Sequence, residues 1–192
     1  MCYNNHSPFS ILIYDNIHMI TYEDALSLHK KIHDSDPKAF PGSLALHKHI
    51  PSIRNLVSSM KLSSACDYGC GKAYGWRDSH YMTKLGLKEV FLYDPGVVKF
   101  SEYPSKKYDM VICTDVLEHI PEDSIDTVLS NIFSIAKKFV FLSISTVPAR
   151  RMLDKEKGIN AHLCVQNKEW WIRKIDLANT NEILYNCVWS GD

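Results

Sequence analysis

This chain has no excess of charge of either sign. Its 22 lysines and arginines balance 22 aspartates and glutamates, for a formal net charge of zero. No global field therefore draws it onto nucleic acid or anionic lipid. It has no apolar run near the ~20 residues that span a bilayer, and its first residues lack the basic-then-apolar order of a secretory signal. It also lacks a disulfide framework: Cys2, Cys66, Cys70, Cys113, Cys164 and Cys187 are scattered, and Cys66, Cys113 and Cys187 sit in strand-like runs where cysteine acts as a small hydrophobe. Repeats, low-complexity tracts and interdomain linkers are missing too. The expectation is a soluble, cytoplasmic protein that uses neither membrane nor nucleic acid, with the oligomeric state left open.

What is present is enough apolar material, 45% of 192 residues, for one sizeable core. Residues 1–36 read as an N-terminal extension with a covering helix, and 37–192 as a single domain. Within the extension, 9–14 is β-prone and 22–33 is helical. Thr21 and Asp24 cap that helix, and Ala25, Leu26, Leu28 and Ile32 form its apolar stripe. His29 and His33 lie four apart on one face, the spacing of a metal pair, but with no third ligand nearby they are read as surface residues. After a break rich in proline and glycine at 37–43, Leu44, Leu46, Ile50, Ile53, Leu56, Val57 and Met60 recur at helical spacing, with Pro51 bending this element or starting its second half.

The chain is organised around Ala65-Cys66-Asp67-Tyr68-Gly69-Cys70-Gly71-Lys72, an apolar strand running through a glycine turn toward a helix over 76–85. Glycines there let backbone amides approach a ligand at the helix mouth, and Asp67 is expected to point into that mouth. A second strand over 88–93 ends at Asp94, 27 residues after Asp67, as in a right-handed βαβ unit with an acid at the tip of its second strand. A carboxylate there can accept both hydroxyls of a ribose. A third strand over 109–114 runs into Asp115-Val116-Leu117-Glu118-His119, 48 residues after Asp67, before a helix over 125–138, a strand over 139–146, a helix over 168–178 and a strand over 183–189.

The D-Y-G-C-G-K-A loop, Asp94 and the D-V-L-E-H segment, in this order and spacing, resemble the class I S-adenosylmethionine-dependent methyltransferases, whose loop reads D/E-x-G-x-G-x-G; Ala73 replaces the last glycine. The resemblance covers about residues 40–144. It implies a single-domain, three-layer Rossmann-like α/β fold with a mostly parallel sheet. Only residues 95–108 separate Asp94 from the next strand, so a shortened third-strand region and backbone-mediated adenine binding are expected. The implied cofactor is S-adenosylmethionine, leaving as S-adenosylhomocysteine, with Asp67, Gly69, Cys70, Gly71, Asp94, Pro95, Asp115, Val116 and Leu117 as its candidate contacts. Methyl transfer to a small-molecule acceptor follows, with His162 and His119 as candidate catalytic groups and Phe40, Ser43, Asn160, His162 and Trp171 as candidate acceptor contacts. His162 follows a strong late strand, and ligands meet the carboxyl ends of strands in open α/β sheets.

Glu118, His119 and His162 could also be metal ligands, because methyltransferases of small-RNA 3′ ends use a similar E-x-x-E-H segment. D-V-L-E-H has a structural explanation as well, with His119 bonding to backbone, and no metal is expected. A dehydrogenase is disfavoured because Tyr74 stands where G-x-G-x-x-G needs a small residue. A nonmethylating enzyme using the same cofactor and a binding protein without turnover remain as alternatives.

Overall fold

A computed structural model of the chain describes residues 20–36, 42, 44–78 and 80–191. The β-prone run at 9–14, Phe40 and Ser43 lie outside them. The helices are α1 (Tyr22–Ser35), α2 (Leu44–His47), α3 (Ile50–Ser59), α4 (Tyr74–Asp78), α5 (Tyr81–Leu85), α6 (Ile125–Ser134) and α7 (Lys168–Ala178). The strands are β1 (Ser64–Tyr68), β2 (Glu89–Tyr93), β3 (Tyr108–Thr114), β4 (Ala136–Ser145), β5 (Met152–Asp154), β6 (Ile159–Asn160) and β7 (Leu184–Ser190). Among the described residues no helix is long and apolar enough to cross a membrane.

Five strands form one parallel sheet in the order β2-β1-β3-β4-β7, and β5 and β6 make a small antiparallel hairpin. The sheet is buried on both faces, and its inner strands show why. In β3, Met110 and Ile112 join one cluster with Leu46, Ile53, Val57, Tyr81 and Leu85, while Val111 and Cys113 point the other way into a cluster with Leu129, Ile132, Phe133, Trp171 and Ile175. Phe139 and Phe141 of β4 alternate with Val140 and Leu142 in the same manner. A period of two with apolar residues on both faces requires helices on both sides, which gives the three-layer α/β arrangement.

The 3₁₀ turn Val98–Phe100 is the one regular element between β2 and β3, so the third-strand region is short, as the spacing predicts. The helix expected over 76–85 is two helices. His80 adopts φ 53, in the left-handed region, and separates α4 from α5. Gly86 ends α5 at φ 76, with its amide bonded to the Met82 and Thr83 carbonyls. Pro51 stands in the first turn of α3, so it begins the second half of the expected element. The strand expected from 139 begins earlier, at Ala136, and shortens the helix before it.

Candidate active site

The chain leaves β1 for β2 on one side and continues through β3, β4 and β7 on the other. β1 and β3 therefore flank the point where the winding reverses, and side chains and loops diverge there to leave a crevice at the strands' carboxyl ends. A cavity of about 300 Å³ occupies this place. Its floor comes from Tyr68, Gly69 and Gly71 after β1, from Asp94, Pro95 and Gly96 after β2, and from Thr114, Asp115 and Val116 after β3.

Backbone geometry fixes this floor. The amides of Gly69 and Cys70 donate to the Tyr93 carbonyl at 2.7 and 3.0 Å, and Gly71 N–H donates to Asp94 Oδ2 at 2.8 Å. The other oxygen of Asp94 accepts from Gly96 N–H at 2.8 Å. One carboxylate thus ties the glycine loop to the tip of β2. Burial raises the Asp94 pKa, opposed by the two amides and by His33.

Gly69 has φ 84, and a Cβ there would lie 2.3 Å from a Val116 methyl. Gly71 has φ 53, and Ala73, which replaces the pattern's last glycine, keeps the left-handed conformation with φ 55. Asp115 is also left-handed at φ 54. It is held by its amide to the Ser143 carbonyl at 2.9 Å and by Ser143 Oγ donating to its Oδ1 at 2.8 Å. A non-glycine residue held there by over-determined contacts is a mark of functional sites.

The wall facing this floor is α1. Tyr22, Ala25, Leu26, His29 and His33, which share one helix face through spacings of three and four, line the cavity. The surface reading of His29 and His33 is thereby corrected, because the same helical spacing that suggested a metal pair turns both rings inward. Of the apolar stripe read from the sequence, Ala25 and Leu26 line the cavity, whereas Leu28 and Ile32 do not. Gly42 lines the cavity at φ 69, where a Cβ would meet the Cys70 carbonyl oxygen.

His119 closes the far end. Its ring stands edge-on to His29 at 5.5 Å and to His162 at 4.9 Å between centroids. His119 Nδ1 lies 2.7 Å from the Ala161 carbonyl, and His162 Nδ1 2.6 Å from that of Val147. Burial, reinforced by His162, pushes the His119 pKa down to about 4. Burial, then His119 and His33, pushes His29 down to about 3, while a hydrogen bond to the His119 backbone works the other way. Both rings are therefore neutral near pH 7.

Of the residues singled out from sequence, Gly69, Gly71, Asp94, Pro95, Asp115, Val116 and His119 line the cavity. The others support it from outside. Asp67 is 2% exposed and accepts the Trp76 indole N–H from the first turn of α4, the helix that follows the loop, and it is not on the lining. Cys70 and Leu117 are fully buried beneath the loops. Asn160 spends its side chain on backbone: Oδ1 accepts from the amides of Ala149 and His162, and Nδ2 donates to the Ala149 carbonyl. It positions His162, which touches His119 but is not on the lining. Trp171 is at 0% exposure in the core, because its position on α7 points it at the sheet. Glu118 is equally buried. Its Oε1 accepts from Ser145 N–H at 2.9 Å, and its carbonyl accepts from the amides of Leu163 and Cys164. Among the described residues no three histidine, cysteine or acidic side chains are grouped to hold a metal ion.

The family described as a methyltransferase domain matches residues 44–182, well over half the chain. Among solved structures, an O-methyltransferase family protein from Burkholderia thailandensis superposes with a TM-score of 0.53 at 10% identity, over 83% of this chain and 57% of that one. The chain thus spans less than two thirds of that protein's length. A DhpI–SAH complex aligns with a TM-score of 0.37 at 17% identity, over 64% of this chain and 66% of that one. No curated protein sequence matches.

Proposed function

Because this chain belongs to the methyltransferase domain family, we propose that it transfers a methyl group from S-adenosylmethionine to a small-molecule acceptor. The observation that carries this reading is Asp94, which closes the glycine loop through Gly71 and Gly96 while lining the cavity at the winding reversal. Each of its oxygens has a second lone pair, so the carboxylate can still accept vicinal ribose hydroxyls. Gly69, without a Cβ, lets Val116 close over the loop and leaves the cradle shallow enough for a ligand. These residues fit a nucleoside-bearing cofactor: Asp94 and Pro95 at the ribose, the glycine loop and Asp115–Val116 at the amino-acid part.

The cofactor would bring a methyl group already activated on sulfur, so this chain's task is alignment and exclusion of water. α1 supplies the second wall that excludes water. His119, positioned by Ala161, stands at the end of the cavity where an acceptor would enter, and His162, positioned by Asn160 and Val147, packs behind it.

Calorimetry with S-adenosylhomocysteine tests the reading. Asp94→Ala should weaken binding by roughly 1.5–3 kcal/mol, the scale of a charge-assisted hydrogen bond, and Gly71→Val should abolish it. Wild-type affinity in both variants would sink the assignment. Analysis of the product, S-adenosylhomocysteine or another fragment, separates methyl transfer from other uses of the same cofactor.

A further inference from the structure

Part of the cavity is built from tyrosine. Tyr68 is the last residue of β1 and Tyr93 the last of β2; they face each other in the parallel register, with rings 4.9 Å apart edge to face. Each comes one residue before a group that shapes the floor, Gly69 or Asp94, so the chain itself fixes how far these rings stand from it. Tyr22 of α1 approaches from the facing wall. Burial raises the pKa of all three, Tyr93 to about 12, and charge effects link Tyr22 to Asp94, to Tyr68 and to Tyr93. The hydroxyls therefore keep their protons near neutral pH, and each can both donate and accept.

Among the described residues no hydrogen bond engages the hydroxyl of Tyr22, Tyr68 or Tyr93, although Tyr68 and Tyr93 are only 5% and 8% exposed. Their neighbour Tyr103, edge-on to Tyr93 at 5.4 Å, does donate, to the Asn131 carbonyl at 3.3 Å. Hydroxyls on residues this buried ordinarily have a partner. Tyr22 and Tyr68 line the cavity together with Ala25, Ile120, Pro121 and Val128, and Tyr68 and Val128 belong to one packed cluster that Tyr22 and Ile120 adjoin. The result is an apolar slot with hydroxyls in its wall, the character of a site for a flat heterocycle. The short connection after Asp94 adds Pro95 and Gly96 to the lining, and neither has a side chain that hydrogen-bonds. A base attached to a ribose at Asp94 meets its side-chain partners in these tyrosines.

We propose that the purine of the cofactor lies in this slot and that the hydroxyls of Tyr22 and Tyr68 bond the edge carrying its 6-substituent. This rests on the methyl-transfer reading and replaces the backbone-mediated binding expected from the short third-strand region with a side-chain site. It also sets the specificity. A carboxylate at such an edge only accepts, and so favours an amino group over an oxo group; a hydroxyl turns to accept from the one or donate to the other. The site takes 6-aminopurines and 6-oxopurines, and it disfavours a purine bare at that position.

Calorimetry on the whole chain compares S-adenosylhomocysteine with two analogues changed at the base: the 6-oxo compound, S-inosylhomocysteine, and the compound with hydrogen at the 6-position. The wild type should bind the first two within about tenfold of each other, and the third at least about fivefold more weakly than the first, the scale of one or two neutral hydrogen bonds. Tyr22→Phe combined with Tyr68→Phe keeps the rings and removes the hydroxyls. In that variant S-adenosylhomocysteine and the unsubstituted analogue should bind within about twofold of each other. Tyr22→Phe alone, at a half-buried position outside the sheet, should already cut the preference at least about twofold, which keeps the test decisive if the double variant does not fold. No preference in the wild type, an undiminished preference in the variants, or a 6-oxo compound bound more than about tenfold more weakly would overturn the proposal and leave methyl transfer standing. Failure of the wild type to bind S-adenosylhomocysteine would overturn the methyl-transfer reading, and this inference with it.

Discussion

At Gly69 one methyl group decides whether the loop can close. In Gly69→Ala the new Cβ meets the Val116 side chain at 2.3 Å from a backbone at φ 84, so cofactor binding should be lost or fall by more than tenfold. Adding Val116→Ala removes the clash but not the left-handed strain of about 1–2 kcal/mol. The double variant should therefore recover part of the affinity, and a double variant no better than the single one would show that Val116 is not the obstacle. Glu118 yields a second expectation. Burial, aided by Asp115 and opposed by the Ser145 amide, raises its pKa from an ordinary 4.5 to about 8. The folded state holds this proton longer than the unfolded chain, so Glu118's contribution is whole below pH 4.5 and drains away as the pH rises through 8, by at most about 1.4 kcal/mol per unit. Glu118→Gln keeps the shape without the ionisation. Urea midpoints of wild type and variant should diverge steadily from pH 5 to 8, and parallel curves would contradict the assignment.

Of the helices of ten or more residues, α1 has the fewest buried side chains. Ala25 is its one buried residue, and its start depends on Thr21, whose side chain accepts from Asp24 N–H. Thr21→Ala should cost about 1 kcal/mol locally. Amide exchange in α1 should then speed up about fivefold while exchange in β3 and β4 stays put, and uniform acceleration would mean that α1 is part of the global folding unit. This helix also shows what sequence could reach. Its extent and cap were legible because they depend on neighbours three and four residues away. Its orientation was only half legible: residues of mixed polarity form two overlapping stripes, and in the fold the one with Tyr22, Ala25, Leu26, His29 and His33 faces the cavity. The glycine loop, Asp94 and Asp115 could be read for the opposite reason, since each sits at the end of a strand whose position the chain's own spacing sets. Gly42 meets Cys70 through space across 28 residues, and only its proximity to a prolyl break hinted at a turn. Asn160 and Trp171 looked like ligand contacts because position after a strand or on a helix does not reveal which partner claims the side chain.

For the whole molecule, the titrating groups oppose one another. His29 and His119, held neutral with pKa values near 3 and 4, add stability that is present above their ordinary 6.5 and is lost as the pH falls toward those values. Glu118 acts in the reverse sense up to 8. Stability should peak near pH 6.5, and Glu118→Gln should remove the decline above it; a wild-type curve still climbing from pH 6.5 to 8 would refute this balance. Saturation to 100 times Kd with S-adenosylhomocysteine should add about 2.7 kcal/mol. That raises Tm by roughly 5–11 °C for a chain this size, readable by differential scanning fluorimetry, and no shift at such saturation would deny binding to the native state.

The family match begins at residue 44, whereas the wall bearing His29 lies within residues 22–35. The floor that would grip the donor lies within the matched residues, and the helix facing it lies before them. That helix reaches both ends of the cavity, with His29 beside His119 and His33 interacting with Asp94, so exchanging its inward residues should be felt in donor affinity as well as in acceptor choice.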